Sequence, residues 1–241
     1  IFKHWFVDFE FPNENGEPYK SSGGKFVESE LGLIPEGWRV STLDEISDDI
    51  VTGKTPSTKR KAYYGDYLPF VTIPDMHDNV FVVSTERYLS KEGANSQIKK
   101  TLPKYSIMVS CIATPGLVSI TSTESQTNQQ INSIKCEYTM CFYLYNTLKN
   151  LSEHIRLLGS GGSTTLNLNK TEFSKIKILL PSDKIVKEYH NIVESIYHKI
   201  LNNQEENEKL KTIRDTLLPK LMSGEIRVPE AEEVVESCLQ K

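Results

Sequence analysis

DKIVKEYHNIVESIYHKILNNQEENEKLKTIRDTLL, residues 183–218, contains no Gly and no Pro. Its apolar residues include Tyr189, Ile192, Val193, Ile196, Ile200, Leu210, Ile213 and Leu217. Tyr189, Ile196, Leu210 and Leu217 share one seven-residue register, and Asn203 fills the remaining place. Steps of three and four alternating over this distance predict a helix whose apolar stripe meets another helix. At ~1.5 Å per residue it makes a rod of roughly 54 Å, longer than the domain it leaves. Such a rod holds two things at a set distance. Asn203 and Asn207 lie on or beside the seam, where polar residues either fix register or simply weaken the stripe.

Upstream of this helix the pattern changes to short β-type runs broken by turn residues. Leu68–Ile73, Val80–Ser84, Ser106–Ile112, Leu117–Thr121, Ile131–Ile134 and Ile176–Leu180 predict a curved sheet, mostly antiparallel or mixed. One helix, from about Thr139 to Leu158, interrupts them, and Gly159 is a suitable C-cap. The Gly159–Thr165 stretch that follows reads as a surface loop. Before the strands, Ser41 or Thr42 can cap a short helix with Asp44 and Glu45 in its first turn. Residues 1–12, IFKHWFVDFEFP, are strongly aromatic and must be covered, whereas Asn13 to Gly24 reads as a linker. Downstream, Pro219 and Gly224 mark the end of the helix, and the acidic tail from Pro229 reads as disordered.

The 241 residues, 38% of them hydrophobic, suit one ordinary domain with an extension rather than two enzymatic domains. Cys111, Cys136, Cys141 and Cys238 form no CxxC pair and read as reduced cytosolic thiols, without disulfide or zinc. No apolar run approaches the ~18 residues of a membrane span. The cytoplasm is the expected compartment. The net charge of −4 argues against a polyanionic partner, but its distribution argues for one. Residues 1–30 hold 3 basic and 6 acidic side chains, and residues 225–241 hold 2 and 5. The body keeps 23 basic against 21 acidic, with Lys54, Lys59, Arg60 and Lys61 in one cluster and Lys99, Lys100 and Lys104 in another. Clusters matter more to a polyanion than the total, although a solvated loop has the same composition.

Gly53-Lys54-Thr55 looks like the end of a phosphate-binding loop, but Asp48 stands where that motif needs its first Gly. Asp75, His77 and Asp78 read as a polar turn rather than a metal site. Neither a nucleophile motif nor a cofactor loop is present. His190 and His198 are expected to face solvent or a packing partner. Gly53 to Tyr64, GKTPSTKRKAYY, combines Thr55 and Ser57 hydroxyls, four cations, Tyr63 and Tyr64. Cations neutralise phosphates, hydroxyls donate to them, and Arg60 can read a guanine edge. Asn128, Gln129 and Gln130 place three amides in sequence. These either pair with adenine in a groove or satisfy buried backbone groups.

Several of these segments, in this order, resemble the DNA-specificity (S) subunits of type I restriction–modification systems. Ile34-Pro35-Glu36-Gly37-Trp38 looks like the start of that family's target recognition domain, and Gly53-Lys54-Thr55-Pro56-Ser57 is similar to its Gly-x-Thr-Pro loop. Thr127-Asn128-Gln129-Gln130 resembles its Thr-Asn-Gln stretch, Leu166 to Pro181 its return segment, and Arg214 to Ile226 the end of its conserved helix. The resemblance covers roughly residues 1–228. It implies a non-catalytic, cofactor-free reader of one half of a split double-stranded DNA site. It also implies methyltransferase (modification) and restriction subunits as partners. The chain departs from the usual two-domain plan in holding one domain and one helix, and its opening looks like the end of a preceding helix. The helix entry, Ser182 to Val186, lacks the Glu-Gln pair often found there.

The expected fold is α+β: residues 1–30 ending a preceding region, a β-rich recognition domain over 31–181, a spacer helix over 182–222 in an antiparallel coiled coil, and a tail over 223–241. Lys54, Thr55, Ser57, Lys59, Arg60, Lys61, Tyr63, Tyr64, Asn128, Gln129 and Gln130 are the expected DNA contacts. Lys99, Lys100 and Ser163 of the Gly159–Thr165 loop join them as backbone contacts. Tyr189, Ile192, Ile196, Ile200, Asn203, Leu210, Ile213 and Leu217 are the expected helix-pairing residues, facing a second S half or a second copy. The alternative is a coiled-coil scaffold that never touches DNA, or an enzyme in its own right.

Overall fold

The computed structural model describes residues 1–160, 166–229, 232, 233 and 235. In chain order, α1 (Phe2–Phe6), β1 (Phe26–Ser29), β2 (Gly32–Pro35), β3 (Arg39–Thr42), α2 (Leu43–Ile46) and β4 (Asp49–Thr52) come first. A 3-10 turn, Lys61–Tyr63, leads into β5 (Tyr64–Val71), α3 (Ile73–Met76), β6 (Phe81–Val82), β7 (Arg87–Leu89) and α4 (Lys91–Asn95). A second, Ile98–Lys100, precedes β8 (Ile107–Ser110), β9 (Val118–Thr121), β10 (Gln126–Thr127) and β11 (Ile131–Lys135). Then follow α5 (Tyr138–Asn150), α6 (Ser152–Gly159), α7 (Lys170–Ser174), β12 (Lys177–Leu180) and α8 (Asp183–Ser223). The fold is α+β, as expected.

The main sheet runs β4–β11–β8–β9–β6, a second runs β10–β5–β7, and β12 pairs with β3. Two pairings, β5 with β10 and β6 with β9, are parallel; β1–β2, β3–β12, β4–β11–β8–β9 and β5–β7 are antiparallel. Strands β8 and β9 are buried at every position, because α5 covers one face of the main sheet and Val71, Met76 and Leu102 pack with Met108 on the other. Each such aliphatic contributes about 1.5–3 kcal/mol of transfer free energy. Ser119, buried in β9, is tolerated because its hydroxyl donates to the Asn79 carbonyl at 2.8 Å. Thr42 caps α2 within a capping box closed by Glu45. At α3, Thr72 is the N-cap and Asp75 closes the box by accepting the Thr72 N–H; Asp75 also accepts the Glu86 N–H, so its carboxylate is engaged in the fold.

The chain forms two compact units, Ile1–Tyr197 and His198–Lys241. Within the first, Phe6 sits edge-on to Tyr143 of α5 (4.8 Å) and Tyr189 of α8 (4.9 Å), so the aromatic opening segment is covered by these rings. The Asn146 amide donates to the Tyr189 and Tyr197 hydroxyls at 3.1 and 2.6 Å. Among the described residues no helix is long and apolar enough to cross a membrane.

Several elements differ from expectation. The helix expected over Thr139–Leu158 is two, parted at Leu151, where the Ser152 hydroxyl takes up the Lys149 carbonyl. Residues 13–24 are held by Asn13, whose side chain accepts the Asn15 and Glu17 N–H groups, and by Tyr19, stacked on Phe11 at 4.5 Å. Asx-turn chemistry and one stacked ring supply the order that a Gly- and Ser-rich composition hides. α8 continues through Pro219 and stops at Gly224 (φ 72°), with the Glu225 N–H returned to the Lys220 carbonyl. Of the two settings expected for His190, solvent or a packing partner, the structure has the second: it is buried against the rings of Phe142 and Tyr138. The tail expected to be disordered lies mostly outside the described residues.

Candidate nucleic-acid interface

The loop between β4 and β5 is built on a shelf of amides. Lys54 N–H donates to the Thr127 carbonyl (2.9 Å), and the Thr55 hydroxyl donates to the Gln129 side-chain oxygen (2.6 Å). A Cβ on Gly53 would stand 2.1 Å from the Asn128 carbonyl oxygen, so only glycine lets the two segments meet. Beneath them Gln97 donates to the Lys54 carbonyl and to Gln126 Oε1, both at 2.8 Å. Gln126, wholly buried, donates in turn to the Ala94 carbonyl and Thr101. These buried amide hydrogen bonds tie the loop to the elements beneath it, although Gln97 Oε1 is itself left without a partner among the described residues.

On this base the charges face outward. Lys54, Lys59, Arg60 and Lys61 are exposed, and among the described residues no carboxylate pairs with Lys54, Lys59 or Lys61. Arg60 lies 4.6 Å over the Tyr63 ring and pairs with Glu92, both partners more than half exposed. Such a pair is worth about 0–1 kcal/mol, little enough for a phosphate or base edge to displace Glu92. Lys99 is exposed and Lys100 half-buried on the 3-10 turn that follows Gln97, so the second basic cluster adjoins the first through that amide.

The structure thus gathers Lys54, Thr55, Ser57, Lys59, Arg60, Lys61, Tyr63, Gln129 and Lys99 around one loop. Two of the expected contacts have other work. Tyr64 donates its hydroxyl to the Pro56 carbonyl, and Asn128 is buried, its amide shared between the Gln130 side chain and the Gln130 N–H. The amides therefore divide: Asn128 builds the turn, while Gln129 is exposed beside Thr55. Gln97 and Gln126 were not foreseen, since a lone glutamine carries no spacing signal. Ser163 lies outside the described residues.

The helix-pairing residues divide likewise. Tyr189 is buried against the domain's own aromatics and Leu217 is buried, whereas Ile192, Ile196 and Leu210 are 44–49% exposed. Tyr189 lies on a four-residue stripe, Ile185–Tyr189–Val193–Tyr197, buried at every position. A heptad drifts by only ~20° on a straight helix, so Ile196 lies nearly in line with Tyr189; the two differ because the domain's aromatic rings reach Tyr189 and leave Ile196 half exposed.

A β-rich domain that exposes a basic, tyrosine-bearing loop and leads into a 41-residue helix has the form of a polyanion-recognition module. The chain belongs to the family of the type I restriction modification DNA specificity domain, whose sequence profile matches residues 35–212. It is 50% identical over 196 residues to the HindI specificity subunit of Haemophilus influenzae, covering 80% of this chain and 42% of that one. The MjaIX specificity subunit of Methanocaldococcus jannaschii is 26% identical over 246 residues, 95% of this chain and 52% of that one. In fold it is similar to the HsdS subunit from Thermoanaerobacter tengcongensis, with a TM-score of 0.54 at 18% identity over 83% of this chain and 48% of that one. The chain spans about half the length of these relatives.

Proposed function

We propose that this chain is a non-catalytic reader of double-stranded DNA, one recognition half of a type I restriction–modification specificity subunit that acts in the cytoplasm without a cofactor. The observation that carries the reading is the Gly53–Tyr64 loop, whose exposed lysines stand on the Thr127–Gln130 shelf. Lys54, Lys59, Lys61, Lys99 and Lys100 neutralise phosphates, and Thr55, Ser57, Arg60, Tyr63 and Gln129 face the bases or flank the groove. Gln130, half-buried, and Asn128 position Gln129. The chain docks methyltransferase and restriction subunits, and its long helix pairs with a second S half or a second copy. Family membership supports this, as does the half-exposed aliphatic row on α8.

The test is duplex binding measured across a salt series. Each phosphate contact contributes about 0.9 to the slope of log K against log salt. Replacing Lys59, Arg60 and Lys61 together by Ala should therefore flatten the slope by about two units, one for each lysine, with the fold intact because all three are exposed. An unchanged slope would remove the loop from the interface.

A further inference from the structure

Strand β5 leaves its ladder at one place. Tyr64 and Leu68 both lie opposite Leu89 of β7, so Gly65, Asp66 and Tyr67 form a bulge between them. All three are exposed, and Tyr67 leaves 53% of its surface in water, next to the basic loop. Bulges re-aim side chains away from the sheet, and here the re-aimed side chain is a large aromatic.

The surroundings of the bulge are rigid. Ser90 donates its N–H to the Tyr63 carbonyl (3.0 Å) and its hydroxyl to the Ala62 carbonyl (2.6 Å). A Cβ on Gly93 would stand 2.0 Å from the Tyr63 carbonyl oxygen, so α4 is pressed onto the residue before the strand and needs glycine there. The first two residues of α4 then serve two tyrosines. Lys91 places its ammonium 5.4 Å from the Tyr67 ring centroid, and Glu92 pairs with the Arg60 that covers Tyr63. One short helix links both cation–aromatic pairs, and neither ring is buried by the pairing.

We propose that the Gly65–Tyr67 bulge is a second DNA-contacting element beside the basic loop. Tyr67 supplies an aromatic face to a base edge and Lys91 contacts a phosphate. Asp66 on the same bulge repels phosphate oxygens, which directs the bulge to the groove floor. There an exocyclic amine of cytosine or adenine donates to its carboxylate. The inference rests on the DNA-reading function proposed above.

The probe is a duplex site enriched by the wild-type chain from a random-sequence pool, titrated at several salt concentrations. Tyr67→Ala should lower affinity for that site about tenfold with an unchanged salt slope, and Tyr67→Phe should bind as wild type does. Lys91→Ala should reduce the slope by about one unit. Both positions are exposed, so thermal melting of each variant should match wild type. Equal affinity of Tyr67→Ala and wild type for the enriched site overturns this inference alone. Absence of any salt-dependent binding by wild type overturns the DNA-reading function and the inference with it.

Discussion

At the scale of single residues, Gly53 and Asn128 show how the interface depends on groups that touch no ligand. Gly53 has no left-handed backbone to justify it. Its need is steric, since the Thr127 and Asn128 carbonyl oxygens stand 2.4 and 2.1 Å from where a Cβ would be. Both neighbours are backbone atoms and cannot rotate away. Gly53→Ala should cost on the order of 1–3 kcal/mol, the range of an overpacked core. For a chain of this size that lowers Tm by about 2–12 °C. DNA affinity should fall with it, because the loop is pushed off the amide shelf. A melting curve and a binding isotherm on the same sample check both, and an unaltered Tm would mean that the two segments are not in contact. The Gly-Lys-Thr-Pro stretch was legible as a loop, but its partner across the fold was not. A sequence does not display which carbonyl stands over which glycine.

At the scale of elements, the interior strands of the main sheet were readable and several edge strands were not. Ile131–Ile134 and Leu117–Thr121 were placed within a residue or two of β11 and β9. β3, β4 and β7 were missed, because Arg39-Val40-Ser41-Thr42, Asp49-Ile50-Val51-Thr52 and Arg87-Tyr88-Leu89 are edge or mixed-polarity segments that pairing rather than propensity makes extended. The α5–α8 packing was also hidden, since nothing in the heptad reading reserves Tyr189 for Phe6 and Tyr143. That packing has a pH signature. Burial raises the phenols of Tyr143, Tyr189 and Tyr197, and it pushes the Cys111 thiol up to about 11. In the unfolded chain these groups ionise near their ordinary values, roughly 8.5 for Cys and 10 for Tyr. Folded pKa values above unfolded ones give stability that is complete below about pH 8.5. It is lost as pH rises toward the folded values. Tm should hold to about pH 8.5 and fall increasingly from 9 to 11, and part of the tyrosinate absorbance at ~295 nm should appear only with loss of the near-ultraviolet dichroism of the fold. Ionisation of all 11 tyrosines near pH 10 with the dichroism intact would show that these rings are not buried.

At the scale of the whole molecule, the long helix carries two apolar rows with different owners. Within the compact unit Ile1–Tyr197, Ile185, Val186, Tyr189 and Val193 are buried in the domain, while Ile192 and Ile196 are left 44% and 49% exposed. In the unit His198–Lys241, Leu210, Leu218 and Met222 are 45–80% exposed. Helices in proteins draw most of their stability from tertiary packing of an amphipathic face, and exposed aliphatic rows on a helix mark a surface that pairs. In the proposed pairing, a second copy of the chain would supply the matching row by two-fold symmetry, each domain then reading one half of a symmetric split site. Light scattering at tens of micromolar should therefore give twice the monomer mass. Ile192→Glu with Ile196→Glu should return the chain to monomer. Because both side chains are outside the domain's own packing, the double variant should keep the wild-type melting behaviour of the domain at a concentration where wild type is also dissociated. A strict monomer for the wild-type chain would transfer the pairing surface from a second copy to a different S half. A dimer that survives both glutamates would place the contact elsewhere on the molecule.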